Sequence, residues 1–313
     1  MPAILQSALH PAGPGAASIS SLWWLMFWTC TIVYVLVMLA LVVAVRRRRP
    51  GREAPSERTL LRSVAGASAA TIVILFGLLF ASVVTGRAIG SLGSAEGLVV
   101  DITGNQWWWD VEYHNPDPSL RVRTANELHL PVGRQVRIQL KSNDVIHSFW
   151  VPNLHGKMDL IPGRQTVLWL QADTPGVYRG QCAEYCGLQH AHMAFSVIAE
   201  SSDAFERWLA AQRRSAPAPA TPEQQRGLEV VERGPCAMCH TVRGTAAGGR
   251  TAPDLTHLAT RSTIAAGTAP NTRGYLAGWI ADPQHMKPGA KMPATGLSAE
   301  ELQAVLAYLE TLR

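Results

Sequence analysis

Cysteine is scarce in this chain of 313 residues, which contains only five. Four of the five fall into two compact motifs, and the fifth, Cys30, lies in an apolar segment where a small buried hydrophobic residue is expected. This distribution does not indicate a disulfide framework. Charge is also sparse: 16% of residues are charged and 47% are hydrophobic, which is unusual for a purely soluble protein.

Lys and Arg are absent from the first 21 residues, so the basic start of a secretory signal is missing. We interpret residues 1–21 as an ordered or loose outer tail. Charge is then absent from residues 22–45 and again from 64–84. At ~1.5 Å per residue, each run is long enough to cross the ~30 Å hydrocarbon core of a membrane. The sequence therefore predicts a transmembrane hairpin within residues 22–90, with helices at about 22–45 and 64–86.

The net charge of +5 is concentrated between these two apolar runs. The arginines there are Arg46, Arg47, Arg48, Arg49, Arg52, Arg58 and Arg62. By the positive-inside rule this loop is cytoplasmic, and everything after Gly86 lies on the outer face. We read the cluster as a topology signal, and we expect membrane lipid and no nucleic acid among the partners.

Beyond residue 90, short segments of alternating polarity are separated by turn residues, which is typical of an all-β module. In QVRIQL, for example, Val136 and Ile138 alternate with Arg137. The candidate strands are LVVDITG, QWWWDVEYH, QVRIQL, TVLWL and AFSVIAE. We predict a Greek-key sandwich over residues 91–212, with functional loops at one end of a rigid sheet.

Within this region, the stretch GQCAEYCGLQHAHM packs two thiols, an imidazole and a thioether closely together: Cys182, Cys186, His190 and Met193. These soft and borderline donors suit copper better than a hard cation. A second imidazole must come from elsewhere, and His147 in the apolar stretch VIHSFWVP is the best candidate. A structural zinc site or a Cys182–Cys186 disulfide is the alternative, and the disulfide leaves the other donors without a role.

A Pro/Ala-rich linker, residues 213–222, separates the sandwich from a helical segment over residues 223–313. This segment contains CAMCH, which is Cys236, Cys239 and His240. The pattern indicates covalent attachment of a c-type haem with the histidine as proximal ligand, although redox dithiols and zinc knuckles also use CxxC. A capping box at residues 298–301 and an apolar stripe predict a terminal helix that packs on the helix before CAMCH.

The remaining haem ligand is expected to be a methionine downstream. KPGAKMP resembles the methionine loop of class I cytochromes c, which points to Met292 and to an all-α domain of that class. Met286 is the alternative, followed by His257 and His285. A Met ligand raises the haem potential relative to two histidines.

The two copper-region stretches together, His147 to Arg164 and then Gly180 to Met193, resemble subunit II of the haem-copper cytochrome c oxidases. The resemblance extends from the first apolar helix to about Trp208. It implies a cupredoxin domain with a dinuclear copper centre, CuA, bridged by Cys182 and Cys186.

The same resemblance implies that His147 and His190 each bind one copper, with Met193 as a weak ligand opposite the Glu184 carbonyl. The Glu184 side chain is then expected to reach a magnesium or manganese ion at the boundary with subunit I. His192 is a second imidazole in the loop, but the spacing favours His190.

Three consecutive tryptophans, Trp107 to Trp109, cannot all face one core because successive strand residues point to opposite sides. The resemblance implies that Trp107 receives the electron; a membrane-interface belt or a packed edge is the alternative. Asp144 matches an acidic position near the donor-docking surface of the family, and a turn role is equally open.

Subunit II with a C-terminal cytochrome c domain resembles the caa3-type oxidases of bacterial inner membranes. This implies that electrons pass from haem c through CuA to subunit I, where haem a and haem a3–CuB reduce O2 to water with proton translocation. Subunit III is the other expected partner, and the donor is a cytochrome c or a quinol–cytochrome c reductase. The alternatives are a CuA-containing nitric oxide or nitrous oxide reductase and a non-enzymatic electron carrier or copper-handling protein. A quinol oxidase is disfavoured because it lacks the copper ligands.

Overall fold

A computed structural model of the chain describes residues 4–47, 55–91, 93 and 97–313. The chain divides into two compact units. One consists of residues 15–92, and the other combines residues 1–14 with residues 93–313.

The first unit is a pair of helices, α1 (Pro14–Arg46) and α2 (Glu57–Gly90). Both are long and apolar enough to cross a membrane, and no residue in the apolar window of either helix is buried. Trp23, Trp24, Phe27 and Trp28 form a cluster of stacked and edge-to-face rings on α1. Such amphipathic rings are enriched where membrane helices meet the headgroup region. These features fit a membrane anchor.

Both helices are longer than the charge-free runs predicted. The segment from Pro14 to Ser21, expected to belong to a tail, is helical, because Pro is well accommodated at the first helical position and the small residues after it permit a helix. Helix α2 begins after Ser56, whose hydroxyl accepts from the Thr59 N–H at 3.4 Å. The predicted limits of each helix follow its charge-free run. A charged residue can continue a helix, however, so the helices extend beyond these limits. Three arginines of the predicted cytoplasmic loop lie outside the described residues: Arg48, Arg49 and Arg52.

The second unit begins with a β-sandwich, here called the sandwich domain (residues 97–212, with residues 4–13 added at one edge). Its strands are β1 (Ile4–Leu5), β2 (Leu98–Asn105), β3 (Trp108–Tyr113), β4 (Val122–Ala125), β5 (Glu127–Pro131), β6 (Val136–Ser142), β7 (His147–Trp150), β8 (Met158–Leu160), β9 (Thr166–Leu170), β10 (Gly176–Cys182) and β11 (Ala194–Glu200). Helix α3 (Ser202–Gln212) closes the domain.

One sheet has the order β5-β11-β10-β7-β8, with β1 also paired to β10, and the other has the order β4-β3-β2-β6-β9. Strand β6 shows why the two sheets face each other: Val136, Ile138 and Leu140 are fully buried, while the residues between them are partly exposed. This confirms the predicted cupredoxin-like sandwich. The N-terminal tail is ordered in part, since β1 pairs with β10 and the Ser7 N–H donates to Asn153.

The linker, residues 213–221, leads to the helical domain (residues 222–313). Its elements are α4 (Pro222–Arg233), α5 (Cys236–Cys239), β12 (Thr263–Ile264), β13 (Ala269–Pro270), α6 (Arg273–Ala281), α7 (Pro283–Met286) and α8 (Ala299–Leu309). The apolar stripe of α8 is mostly buried, and Ala304 of this helix lies directly against Gly227 of α4.

A small departure from an all-helical domain is the ribbon formed by β12 and β13. The chain reverses there through Ala265, Ala266 and Gly267, all three with positive φ. The Ala265 carbonyl at this turn accepts a hydrogen bond from Lys287 of the same domain at 2.9 Å.

Candidate metal centre and adjoining cavity

The predicted copper ligands come from two neighbouring strands and one loop of the sandwich domain. Strand β10 ends at Cys182, and the loop that follows returns to β11 at Ala194. Strand β7 begins at His147 and pairs antiparallel with β10, with Phe149 opposite Cys182. A ligand that is 35 residues away in sequence is therefore held beside the loop by the sheet itself.

The donor atoms converge. One ligand atom each from His147, Cys182 and Cys186 lies within 4.8 Å of the other two. The two sulfurs are 3.7 Å apart, far beyond the ~2.05 Å of a disulfide, so the disulfide alternative does not hold. His147 Nδ1 lies 3.8 Å from the sulfur of Cys182, and His190 Nδ1 lies 3.5 Å from that of Cys186.

The two weaker donors also lie at this cluster. Met193 Sδ is 3.8 Å from the Cys186 sulfur, and the Glu184 carbonyl is 3.2 Å from the Cys182 sulfur. Zinc sites in proteins use Cys, His, Asp and Glu, whereas a thioether is a soft ligand that suits copper. The full donor set thus fits copper better than zinc.

The cluster is shielded from water, because His147 and Met193 are completely buried and both cysteines nearly so. The neighbouring Cys186 thiol lowers the pKa of the Cys182 thiol, despite burial, because it stabilises the thiolate by hydrogen bonding. The resulting thiolate raises the pKa of Cys186. Burial acts to lower the pKa of His147, but hydrogen bonds to Cys182 and Asp144 outweigh it and raise that pKa. Metal binding at this cluster must therefore release protons.

Close backbone packing keeps His147 in place. Gly104 of β2 lies under the imidazole, and a Cβ atom at that position would be 2.7 Å from His147 Cδ2. On its other side, His147 Nε2 donates to Asp144 Oδ1 at 2.8 Å. A hydrogen bond from the second ring nitrogen is the usual way in which proteins orient a histidine that binds a metal.

Other predicted residues lie near the cluster with different surroundings. The Glu184 carboxylate is half-exposed and lies 3.5 Å from the Lys157 ammonium. His192 is exposed, and its Nδ1 is engaged by Gln189 Oε1 at 2.7 Å. Trp109 is the core tryptophan of the three, whereas Trp107 and Trp108 are only partly buried.

Trp107 contacts the copper loop directly. Its indole N–H donates to the Cys186 carbonyl at 3.0 Å, and the Gln106 side-chain amide donates to the same oxygen at 2.8 Å. The loop approaches this closely because Gly187 has φ of 112° and no Cβ; a Cβ there would be 3.2 Å from the Trp107 ring.

A cavity of about 420 Å³ adjoins Trp107, which is one of its lining residues. Its lining is mainly apolar and includes all four predicted haem ligands: Cys236, Cys239, His240 and Met292. His240 Nδ1 is 2.7 Å from the Pro253 carbonyl, which leaves Nε2 as the free ligand atom. Burial lowers the pKa of His240, which favours the neutral imidazole that a metal binds. The cavity fits a haem attached through CAMCH.

The alternative axial ligands do not line this cavity. Met286 is partly buried and packs against the helical core, and its Cε is 2.9 Å from the position of a Cβ on Gly278. His257 is buried, with Nε2 3.2 Å from the carbonyls of Gln212 and Arg214. His285 is exposed.

Lys287 and Arg261 also line the cavity, and no signal in the sequence distinguishes them. Burial lowers the pKa of Lys287 to about 7. Its Nζ is nevertheless surrounded by three carbonyl oxygens, which favour the ammonium form with three N–H donors.

Asp144 lies in the bend of residues 143–145, in agreement with the turn role left open by the sequence, and the Val145 N–H donates to its carboxylate at 2.9 Å. The same carboxylate also accepts from the Gln106 N–H and lies beside His147 and Lys291.

Comparison with known proteins agrees with both halves of this arrangement. Residues 115–200 match the family described as "Cytochrome C oxidase subunit II, periplasmic domain". Residues 224–313 match the family described as "Cytochrome c". The first family implies copper and the second implies haem.

Cytochrome c oxidase subunit 2 of Alkalihalophilus pseudofirmus is 34% identical over 98% of this chain and 91% of its own length. The corresponding Bacillus subtilis protein is 32% identical over 70% of this chain and 63% of its own length. The crystal structure of the periplasmic domain of cytochrome oxidase subunit II from Bradyrhizobium japonicum is 30% identical and covers 38% of this chain and 96% of that one, with a TM-score of 0.36. The chain therefore belongs to the cytochrome c oxidase subunit II family, with a cytochrome c domain at its C-terminal end, which confirms the resemblance found in the sequence.

Proposed function

We propose that this chain is the electron-accepting subunit of a caa3-type cytochrome c oxidase, which takes electrons at haem c and delivers them through CuA to subunit I. The observation that carries the proposal is the position of Trp107. One side of its ring lines the cavity with the CAMCH motif, and its indole N–H binds the Cys186 carbonyl at 3.0 Å. A single side chain thus connects the two candidate redox sites.

In the sandwich domain, the proposed copper ligands are the clustered side chains and one carbonyl: His147, Cys182, Glu184 through its carbonyl, Cys186, His190 and Met193. A copper pair there supplies one-electron redox chemistry. The chain holds the ligands rigidly, since they lie on paired strands and a buried loop. Rigid ligands move little when the copper pair gains or loses an electron.

In the helical domain, Cys236 and Cys239 are proposed to hold the haem covalently between His240 and Met292. The Pro253 carbonyl orients His240 through Nδ1 at 2.7 Å. The apolar lining of the cavity excludes water, and low polarity around an iron centre is one of the ways in which a protein adjusts its potential.

As a member of its family, the chain works with subunit I of a haem-copper oxidase, where O2 chemistry takes place. We further propose subunit III and a cytochrome c or quinol–cytochrome c reductase as partners, as well as a magnesium or manganese ion near the Glu184 carboxylate. That carboxylate is half-exposed and its only described ionic partner is Lys157 at 3.5 Å, so it is free to face a neighbouring subunit. The outer-face domains and the cytoplasmic arginine loop follow from the charge pattern.

The copper assignment is tested with the full chain in detergent. Cys186→Ser removes one bridging thiolate, so we expect the paramagnetic signal of a copper pair to disappear while the haem absorption stays unchanged. The matched control is Cys30→Ser, since Cys30 lies in α1 and is outside the cluster. An unaltered copper signal in the Cys186 variant contradicts the assignment, as does zinc in the purified protein.

The axial haem ligand is tested in the same way. Met292→Ala is expected to lower the haem potential, because a thioether ligand raises it. Met286→Ala is the control, since Met286 packs against the helical core and does not line the cavity. If the Met286 variant alone lowers the potential, the ligand assignment is wrong.

A further inference from the structure

The segment Lys287–Met292 of the helical domain lies on the copper loop of the sandwich domain. Lys287 is only 2% exposed. Its Nζ donates to the carbonyls of Trp107 at 2.8 Å and His192 at 2.7 Å, both in the sandwich domain, and to that of Ala265 at 2.9 Å in its own domain. One buried ammonium group therefore joins the electron-accepting tryptophan, the copper loop and the β12–β13 turn.

A second lysine of the same segment reaches a proposed copper ligand through one carboxylate. Lys291 Nζ lies 3.1 Å from Asp144 Oδ2, and Asp144 Oδ1 accepts from His147 Nε2 at 2.8 Å. Lys291 directly precedes Met292. The two proposed metal ligands His147 and Met292 are thus connected through Asp144 and Lys291.

Backbone groups between these lysines add to the same contact. The Gln189 side-chain amide donates to the Pro288 carbonyl at 2.8 Å. Gly289 has φ of 85°, and a Cβ there would be 3.3 Å from Leu188 and 3.5 Å from the Trp107 ring. The segment is therefore fitted to the copper loop along its length. Outside this segment, the Ala194 N–H donates to the Ala266 carbonyl of the β12–β13 turn at 3.0 Å, which adds a further bond between the two domains.

Burying a lysine at such a contact is a poor route to stability. Desolvation of a charge costs several kcal/mol, and apolar replacements of buried ions are often neutral or stabilising. The three N–H donors of the ammonium group instead fix the relative position of the two domains. A carbonyl acceptor that moves out of the narrow distance range of a hydrogen bond loses that bond.

We propose that Lys287 and Lys291 are positioning residues that hold the helical domain in one register on the copper loop, so that the haem cavity and the thiolate pair keep a constant separation across Trp107. The proposal rests on the proposed function, since it takes copper and haem to occupy their two sites. It also implies that Trp107 is covered by the chain's own domain, and that a diffusible donor must deliver its electron to the helical domain.

The kinetic test uses the full chain loaded with copper and haem and measures electron transfer from photoreduced haem to copper. We expect a single phase in the native chain that is insensitive to ionic strength. In the Lys287→Met/Lys291→Met variant we expect a several-fold slower and salt-dependent reaction, because the separation between haem and copper would no longer be constant. The matched control is Lys141→Met, which breaks a comparable ion pair with Asp101 at 3.2 Å.

Two single variants separate positioning from general damage. Lys291 is exposed, so Lys291→Met should fold, and it should change the copper hyperfine pattern through Asp144 and His147. Lys291→Arg keeps the ion pair and should restore the native pattern. A native rate in the double variant, or a Lys291→Met spectrum identical to that of the native chain, overturns the proposal.

A readout that needs no metal keeps this inference distinct from the proposed function. Hydrogen exchange of the Ala194 amide in metal-free full chain reports whether its bond to Ala266 across the two domains stays closed. We expect faster exchange in the double variant than in Lys141→Met. Equal exchange refutes the positioning role even if copper and haem bind, whereas a chain without copper refutes the proposed function and leaves the exchange result standing.

Discussion

At the residue scale, the candidate copper site depends on two glycines as much as on the residues that supply the donor atoms. Gly104 and Gly187 carry no Cβ, and this lets His147 and Trp107 approach the backbone of β2 and of the copper loop. The donors are ordinary side chains, but their convergence within a few ångströms requires these close approaches.

Gly104→Ala should therefore weaken copper binding without removing any ligand. The new methyl group would lie 2.7 Å from His147 Cδ2, so the imidazole must shift from its present position beside the Cys182 sulfur. We expect roughly 10- to 100-fold weaker copper affinity, the usual effect of disturbing groups that orient a metal ligand. The measurement is a copper titration of the reduced, metal-free full chain.

Gly97→Ala is the control for that titration, because a Cβ at Gly97 would meet nothing closer than a backbone oxygen at 3.5 Å. Equal affinities in the two alanine variants would show that the contact with Gly104 does not position His147.

At the scale of single elements, the helical domain is held together by the crossing of α4 and α8. Gly227 lies at this crossing, and a Cβ on it would be 2.0 Å from the Ala304 carbonyl oxygen and 2.8 Å from Tyr308 Cβ. One of these neighbours is a backbone atom and the other is a Cβ atom, so neither can move away by a change of side-chain rotamer. The helices must separate to accept any larger residue.

Gly227→Ala is expected to lower the free energy of unfolding of the helical domain by about 1–3 kcal/mol, the usual cost of overpacking. Gly274→Ala on α6 is the control: a Cβ there meets nothing within 4 Å, so the variant should gain about 0.5–1 kcal/mol from the lower entropy of the unfolded chain. Thermal unfolding followed at the haem band measures both. A Gly227 variant as stable as the native chain would contradict the close crossing.

At the scale of the whole molecule, the question is on which side of the membrane each part of the chain lies. The two apolar helices cross the membrane, so the α1–α2 connection and the two domains lie on opposite sides. By the positive-inside rule, the arginines around the α1–α2 connection predict that this connection faces the cytoplasm and that the sandwich and helical domains lie on the outer face. This orientation also determines which side an electron donor can reach.

Cysteine labelling in a Cys30→Ala background tests the orientation. Pro55→Cys lies in the connection before α2, whereas Glu300→Cys lies on α8, where the glutamate side chain is 81% exposed. In intact spheroplasts, a membrane-impermeant maleimide should label the Glu300 variant at once. The Pro55 variant should react only after lysis, and prompt labelling of both would reverse or abolish the proposed topology.

Much of the organisation is readable from the sequence because it depends on local chemistry. Charge-free runs, strand alternation and the CAMCH motif each lie within one continuous stretch of sequence, and the comparisons confirm the fold class and the family that these patterns indicated. The ends of the two apolar helices could not be predicted as well. Helices α1 and α2 continue beyond the charge-free runs into segments whose residues allow a helix but do not mark where it ends.

The sequence by itself determined which donors are available, because the soft ligands of the loop from Cys182 to Met193 are close along the chain. Only the tertiary structure decided what surrounds them. Lys287 meets carbonyls that are 95 and 180 residues away, and Asp144 joins His147 to Lys291 across two domains. Such contacts have no sequence pattern, because any lysine or aspartate has the same chemistry until the fold sets its neighbours.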